Sequence, residues 1–346
     1  MKKILRIAVV APPFGDTGGP EVAVLNLVEA LEKEGANVTL FAPGDWHASV
    51  KHVPTLPKSI WNMKKGEKNK IASLRLQSQM SVVEYADKFD VVHFHCQRFS
   101  YFAAEKIKKP TVLTMHNNFS DEMLTEMKSV GMHIVALSHA QARGREVDAV
   151  IHHGLPTNQI KPSYQKGQYL LFLGRLTDQK GVDVAIKIAI KAGKKLNIIG
   201  RIGNTKERKK YFEENLKPFI DGKQICNLGT VSHDKIYEYC AGAEALLFPI
   251  RRPESFGLVA IEALACGTPV ICTKIAPLPE ILNNPKVAFL SDNIDELVEA
   301  AKNTDIFNRK TCRKYAEDNF DSSVMAKKYL ELYKNILKTK SVDVDK

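Results

Sequence analysis

The sequence predicts an α/β fold made of two doubly wound parallel sheets. Three observations carry this. Short β-branched runs alternate with amphipathic helical stretches along the whole chain. The alternation pauses once, in a Gly/Pro/Ser/Gln-containing stretch at Gly154–Gly167, and then restarts. The length of 346 residues suits two domains, each able to bury its own core.

In the first half, Ile4–Val10 reads as a strand and Pro20–Lys33 as a helix, with Pro20 suited to a first turn. Val38–Phe41 is the next strand. A Lys-rich middle follows, then strands at Val91–Phe94, Val112–Met115, Ile134–Leu137 and Ala149–Ile151. The second half repeats the theme with strand Tyr169–Leu173, helix Val182–Ala192, strand Leu196–Ile199 and helix Lys206–Phe219. Strand Gln224–Leu228, helix Asp234–Ala241, strand Ala245–Phe248, helix Leu258–Ala265 and strand Pro269–Cys272 complete it. A closing helix is expected over about 323–340. The predicted domains are 1–156 and 157–322. Ligands of such sheets bind beyond the carboxyl ends of the strands, so the active site is expected in the cleft between the domains.

Composition narrows the function. With 44% hydrophobic and 26% charged residues, the chain is neither disordered nor fibrous. No run approaches the roughly 18 apolar residues of a membrane span. Lys and Arg number 50 against 39 Asp and Glu, a net charge of +11 that favours an anionic partner. Neither cationic run, Lys51–Arg75 or Lys187–Lys217, shows the pattern of a nucleic-acid module. The six cysteines lack metal-ligand or disulfide spacing. Arg6 and Pro12-Pro13 make the N-terminus a poor signal peptide, so a cytoplasmic enzyme is expected. Trp61 and Ile60 among Lys58, Lys64 and Lys65 read as a solvated loop, with weak peripheral contact to an anionic membrane face as the alternative.

Three motifs carry chemistry. Gly15-Asp16-Thr17-Gly18-Gly19-Pro20 lies between the first strand and first helix, where glycines admit an anion or sugar to the backbone. It fits neither the dinucleotide fingerprint nor the P-loop. Gly174-Arg175 followed by Lys180-Gly181 puts two cations at a strand end, able to converge on one pyrophosphate. Glu254-Ser255-Phe256-Gly257-Leu258, with Glu262 eight residues after Glu254, opens a helix whose free N–H groups suit an anion. Glu262 is placed to accept ribose hydroxyls and Glu254 sugar hydroxyls. His116, in Thr114-Met115-His116-Asn117, ends a strand. His93 and His95 are expected on opposite faces of theirs, and no metal pair is expected of them.

Together the G-R-x-x-x-x-K-G loop, the E-x7-E run and the Gly-Gly loop resemble the retaining nucleotide-sugar glycosyltransferases of family 4, over nearly the whole chain. The run Ala245–Leu258 is most similar to the avilamycin-type subgroup. The resemblance implies the GT-B fold: an N-terminal, acceptor-side Rossmann-like domain completed by the closing helix, a C-terminal nucleotide-sugar-binding Rossmann-like domain, and an interdomain cleft. It implies a hexosyltransferase-type enzyme moving a sugar from a nucleoside-diphosphate donor to an acceptor hydroxyl without metal or other cofactor. A UDP-sugar is favoured and GDP-mannose is the second choice; the acceptor is a glycan, a lipid-linked group or a small molecule. Arg175 and Lys180 would neutralise the diphosphate in place of a metal. Glu254 would hold the donor sugar, with Ser255 and the Phe256-Gly257-Leu258 backbone near sugar and phosphate, and Glu262 the ribose. The base would sit near Gly200-Arg201 and Gly229–Val231, Gly174 would belong to the donor site, and His116 would lie by the donor sugar. Gly18 and Gly19 would lie against donor phosphate or acceptor. Two departures are His153-Gly154 for the frequent Asn-Gly, and Pro20 for a small residue. The alternatives are a GT-B sugar-nucleotide epimerase and a non-catalytic sugar-nucleotide or polyanion binder.

Overall fold

The computed structural model describes residues 4–15, 18–64, 66 and 70–344, with side chains through residue 339. Asp16 and Thr17 of the glycine loop, and Lys65 of the cationic segment, lie outside the described residues. The chain divides into two compact units. One runs to Pro156 and resumes at Asp321; the other is Thr157–Phe320.

The N-terminal unit holds β1 (Arg6–Val10), β2 (Asn37–Ala42), β3 (Lys51–Pro54), β4 (Val91–Phe94), β5 (Thr111–Thr114), β6 (Met132–Ala136) and β7 (Ala149–Val150). They form one parallel sheet in the order β3-β2-β1-β4-β5-β6-β7. The second unit holds β8 (Tyr169–Leu173), β9 (Leu196–Ile199), β10 (Ile225–Gly229), β11 (Ala243–Phe248), β12 (Val270–Cys272) and β13 (Ala288–Leu290). Their order is β10-β9-β8-β11-β12-β13, again all parallel. Each sheet reverses its direction of growth once, between β1 and β4 and between β8 and β11. Crevices for ligands open at such reversals, outside the carboxyl ends of the strands.

Two strands escaped the sequence reading, and both are edges. β3 reads Lys-His-Val-Pro, too polar and short to stand out, and its Pro54 is tolerated because an edge strand has one partner. β13 has three residues and pairs only with β12. The helix expected to reach Phe219 stops at Asn215, and a 3-10 turn over Lys217–Phe219 takes in Pro218, which cannot continue an α-helix.

The last helix, Ser322–Val344, packs on the N-terminal unit beside the helix Gly19–Lys33. Met325, Ala326, Tyr329, Tyr333 and Ile336 join the same apolar cluster as Leu27, Val28 and Leu31. Tyr329 and Tyr333 are buried, and each hydroxyl finds a partner in the sheet: Thr114 Oγ1 at 2.7 Å and His93 Nδ1 at 2.7 Å. Burying an aromatic of this size contributes about 2–3 kcal/mol, provided its polar end is bonded. The chain re-enters this unit where Leu155 pairs with Asp321 and the Ser322 N–H donates to the Leu155 carbonyl at 2.8 Å. A Cβ on Gly154 would come within 2.8 Å of the Ser322 Cα, so the crossing requires glycine.

Candidate active site

In the second unit the loops after β8, β9, β10 and β11 share one edge of the sheet. They carry Gly174–Gly181, Gly200-Arg201, Thr230-Val231 and Pro249–Leu258. The loops touch backbone to backbone. A Cβ on Gly200 would stand 1.7 Å from the Gly174 carbonyl oxygen, and one on Gly181 1.8 Å from that of Pro249. Gly200 N–H donates to Gly229 at 2.8 Å, and Leu176 N–H to Arg201 at 3.1 Å.

The two central motifs meet here. Lys180 donates to Glu254 Oε1, and both side chains are largely buried, 16% and 21% exposed. Arg251 ties the same two loops together. Its guanidinium forks onto Asp183 at 2.8 and 2.6 Å and reaches Asp178 Oδ1 at 2.5 Å, while its N–H donates to the Gln179 carbonyl at 2.9 Å. These bonds hold the Asp183 carboxyl below the usual carboxylate range despite its burial. Arg175 is exposed, and its guanidinium makes no ion pair among the described residues. Arg201 is also exposed and Val231 half-buried.

Gly257, at φ +102°, caps the helix Leu258–Ala265, whose first N–H groups have no partner within the helix. Phe256 anchors the approach: it is buried and packs edge-on against Phe320, with ring centroids 6.0 Å apart. Ser255 is half-buried beside it. Glu262 is buried one turn into the helix, and the sequence reading missed its neighbour: His233 Nε2 lies 3.5 Å from Glu262 Oε1. This hydrogen bond, with the charges of Glu262 and Asp234, raises the His233 pKa against the effect of burial. His233 begins the helix after the β10 loop, a placement only the fold reveals.

At the carboxyl edge of the N-terminal sheet, His116 follows β5 and is buried in a group of four histidines with His93, His95 and His153. His95 Nδ1 and His116 Nε2 are 2.8 Å apart, and the His116 ring stacks on His153 at 5.3 Å. The expectation that His93 and His95 face opposite ways is wrong. Residues two apart along a strand share a face, and these rings are 4.1 Å apart. Burial drives the whole group neutral: His93 and His116 fall to about 3, and His95 and His153 well below the ordinary histidine value. Among the described residues no group of three or more His, Cys, Asp or Glu is arranged to hold a metal ion.

The glycine loop has a more specific packing reason than the sequence suggested. A Cβ on Gly15 would stand 2.9 Å from the Trp61 ring, and one on Gly18 would stand 2.0 Å from Glu21 Oε2. Gly19 is exposed and begins the helix. Trp61, expected in a solvated or membrane-facing loop, thus lies over the glycine loop and packs on Phe14 at 5.8 Å. Glu21 was missed by sequence reading. It is 4% exposed, and desolvation raises its carboxyl to about 7.

Comparison with known proteins agrees with this architecture. The family model Glycosyl transferases group 1 matches residues 157–317, and the model Glycosyltransferase Family 4 matches residues 17–153. The chain belongs to the family 4 glycosyltransferases. A 41.2 kDa uncharacterised protein from the cps region of Klebsiella pneumoniae is 28% identical over 297 residues, 72% of this chain and 80% of that one. The D-inositol 3-phosphate glycosyltransferase of Pseudarthrobacter chlorophenolicus is 25% identical over 344 residues, covering 81% of this chain and 80% of its own. Among solved structures, AviGT4, a glycosyltransferase involved in avilamycin A biosynthesis, superposes with a TM-score of 0.73 at 22% identity, over 97% of this chain and 98% of that one. Anabaena HepE in complex with UDP-glucose gives 0.73 at 18% identity, over 96% and 100%. The fold of this family 4 enzyme is GT-B, and the enzyme is a glycosyltransferase of the hexosyltransferase type. Among the described residues no helix is long and apolar enough to cross a membrane.

Proposed function

We propose that this glycosyltransferase moves a sugar from a nucleoside diphosphate to an acceptor hydroxyl, with retained anomeric configuration and without a metal ion. The observation that carries the reading is the convergence of Arg175, the Lys180–Glu254 pair, the Leu258 helix N-terminus and the His233–Glu262 pair on one sheet edge. Arg175 and Lys180 supply fixed positive charge for a departing diphosphate, which is the largest catalytic contribution open to such a site. The N–H groups from Phe256 to Leu258, with Ser255, add donors to phosphate and sugar. Glu254 takes a donor-sugar hydroxyl, and Glu262 takes the ribose hydroxyls with His233 fixing its orientation. Arg201 and Val231 border the base and Gly174 belongs to the donor site, with Gly18 and Gly19 on the N-terminal unit against donor phosphate or acceptor.

His116, neutral at physiological pH, offers a hydrogen-bonding ring to the donor sugar without competing for the diphosphate. Retention would follow a same-face substitution in which the leaving phosphate helps deprotonate the acceptor. A UDP-sugar is the first donor to test, because HepE of the same fold was solved with UDP-glucose. GDP-mannose is the second, prompted by the phosphatidyl-myo-inositol mannosyltransferase of Mycobacterium leprae, 24% identical over 374 residues. The acceptor belongs to a glycan, a lipid-linked group or a small molecule, and the site of action is cytoplasmic with at most peripheral membrane contact.

The test is thermal stability with saturating UDP, GDP, ADP and TDP, each with and without EDTA. A ligand at 100 times its dissociation constant adds about 2.7 kcal/mol. One nucleotide stabilising despite EDTA supports the donor clamp and names the base. Donor turnover by wild type, lost in Glu254→Ala with nucleotide binding kept, supports the transferase. Stabilisation only with metal, or by none of the four, refutes the clamp as drawn.

A further inference from the structure

The N-terminal unit contains a cation that has no counterion among the described residues. Arg75 lies on the helix Ile71–Met80 with its guanidinium over the Phe99 ring, 4.0 Å from the centroid, and 5.4 Å from that of Phe14. Among the described residues no carboxylate pairs with it. Its Nε is fully buried without a hydrogen-bond partner, and Nη2 reaches only the Cys96 sulfur at 3.7 Å, a weak acceptor. Arg75 as a whole is half-buried, and a charge partly withdrawn from water is ordinarily paired. A ring-stacked guanidinium keeps its in-plane donors aimed outward, in the fork that matches an oxyanion.

Arg75 does not stand alone. The described residues include six buried side-chain polar atoms without a partner, and native proteins leave few such atoms unsatisfied. Five are at this edge of the sheet or on the helix behind it: Arg75 Nε, Gln79 Oε1, His95 Nε2, Ser100 Oγ and His116 Nδ1. Gln79 is tied there by its Nε2, which donates to the Ala11 carbonyl just beyond β1 at 3.0 Å. Glu21, from the helix that follows the glycine loop, is buried with its own backbone N–H as its hydrogen-bond donor among the described residues. Arg75 and Glu21 act on the same Cys96 thiol with opposite sign, so both lie near it, yet they do not pair with each other.

We propose that Arg75 and Glu21 form an acceptor subsite, in which Arg75 takes an oxyanion of the acceptor, phosphate or carboxylate, and Glu21 binds a hydroxyl beside it. The proposal rests on reading the N-terminal unit as the acceptor side of the transferase. It predicts an acceptor that is an anionic polyol rather than a neutral sugar.

The probes are inorganic phosphate and acetate, titrated calorimetrically at pH 8 into wild type, Arg75→Gln, Glu21→Gln and, as the donor-side control, Arg175→Gln. Phosphate binding that survives in Arg175→Gln and weakens at least tenfold in Arg75→Gln supports the subsite and assigns phosphate. The same pattern with acetate alone assigns carboxylate. Glu21→Gln removes a nearby negative charge and is expected to tighten the anion severalfold; no change takes Glu21 out of the subsite. UDP binding should be equal in wild type and Arg75→Gln, so a failed donor clamp would show separately, as absent UDP binding. Folding of Arg75→Gln is checked by its melting temperature, which should hold or rise. Both anions binding Arg75→Gln as they bind wild type, or neither binding wild type, overturns the proposal.

Discussion

The four buried histidines make the N-terminal unit acid-labile. Burial lowers His93 and His116 from 6.5 to about 3, and His95 and His153 are shifted the same way. Their folded pKa values are depressed, so the stability they contribute is present above 6.5 and lost as pH falls toward 3. Between pH 7 and pH 5 His93 and His116 each remove about 2 kcal/mol, because the unfolded chain takes up a proton that the folded one refuses. His95 and His153 act in the same direction. Glu21 works against them. Its carboxyl is raised from 4.5 to about 7, so its folded form binds the proton first and regains about 2 kcal/mol over the same interval. The net loss from His93, His116 and Glu21 is about 2 kcal/mol before His95 and His153 add to it, a large fraction of the stability of an ordinary domain.

Both tryptophans, Trp46 and Trp61, belong to this unit, so their fluorescence reports it selectively. Urea titrations at pH 7, 6 and 5 should show the fluorescence midpoint falling by about 1 M or more, for a slope of about 2–3 kcal/mol per M. In the other unit the His233 pKa is raised by Glu262, so that group's contribution is full below 6.5 and lost as pH rises. Far-UV circular dichroism should therefore separate at pH 5 into an early and a late transition. A fluorescence midpoint that moves by less than about 0.5 M, or native-state C2 proton resonances assigned to His93, His95, His116 and His153 that titrate near 6.5, would refute the reasoning.

Other perturbations test the donor edge. Lys180→Ala should lower kcat by about 10²–10³ with little effect on melting temperature, since loss of one fixed donor to a developing anion has that size; a loss under fivefold would remove Lys180 from the diphosphate. Arg251→Ala frees the buried Asp183 carboxylate and loosens the Lys180–Glu254 meeting. It should destabilise the unit by about 3 kcal/mol, measured by denaturant melts, and raise KM for the donor. Gly181→Ala places a Cβ 1.8 Å from the Pro249 carbonyl at φ +69°, and is expected to abolish nucleotide binding before it abolishes folding, as seen by calorimetry alongside circular dichroism. His233→Ala should weaken nucleotide binding and flatten its dependence on pH between 6 and 8; an unchanged pH profile would separate His233 from Glu262.

The two sheet edges differ in how much of them the sequence displays, and the difference is physical. On the donor side, Arg175 with Lys180 and Glu254 with Glu262 each lie within one strand–loop–helix crossing, so spacing along the chain is nearly spacing in space. Such a motif is legible because a loop beyond a parallel strand has few places to go. His233 was invisible from the sequence because it joins Glu262 across two separate crossings. The N-terminal edge is assembled entirely in that way: Glu21, Arg75, His95 and His116 come from four segments, and only the strand order β2-β1-β4-β5 brings them together. The same holds for edge strands β3 and β13, whose polarity reflects having one partner rather than two.

The polar groups of the two edges are also satisfied differently. The proposed donor edge is paired at every one of these positions except Arg175: Lys180 with Glu254, His233 with Glu262 and Arg251 with two aspartates. The paired charges are held in place by one another, which suits a site that must present a fixed field to a diphosphate. The N-terminal edge keeps neutral histidines, a stacked arginine with no carboxylate partner among the described residues, and a carboxyl poised near neutrality. Such an unsatisfied edge binds by completing its own hydrogen bonds, so its selectivity comes from the penalty any poorly matched acceptor leaves unpaired. Acceptor choice should therefore respond more steeply to single substitutions at Arg75, Glu21 and His95 than donor choice does to substitutions at Arg201 or Val231. Measured specificity ratios for paired acceptors and paired donors across those five positions decide the point, and equal sensitivity on both edges would contradict it.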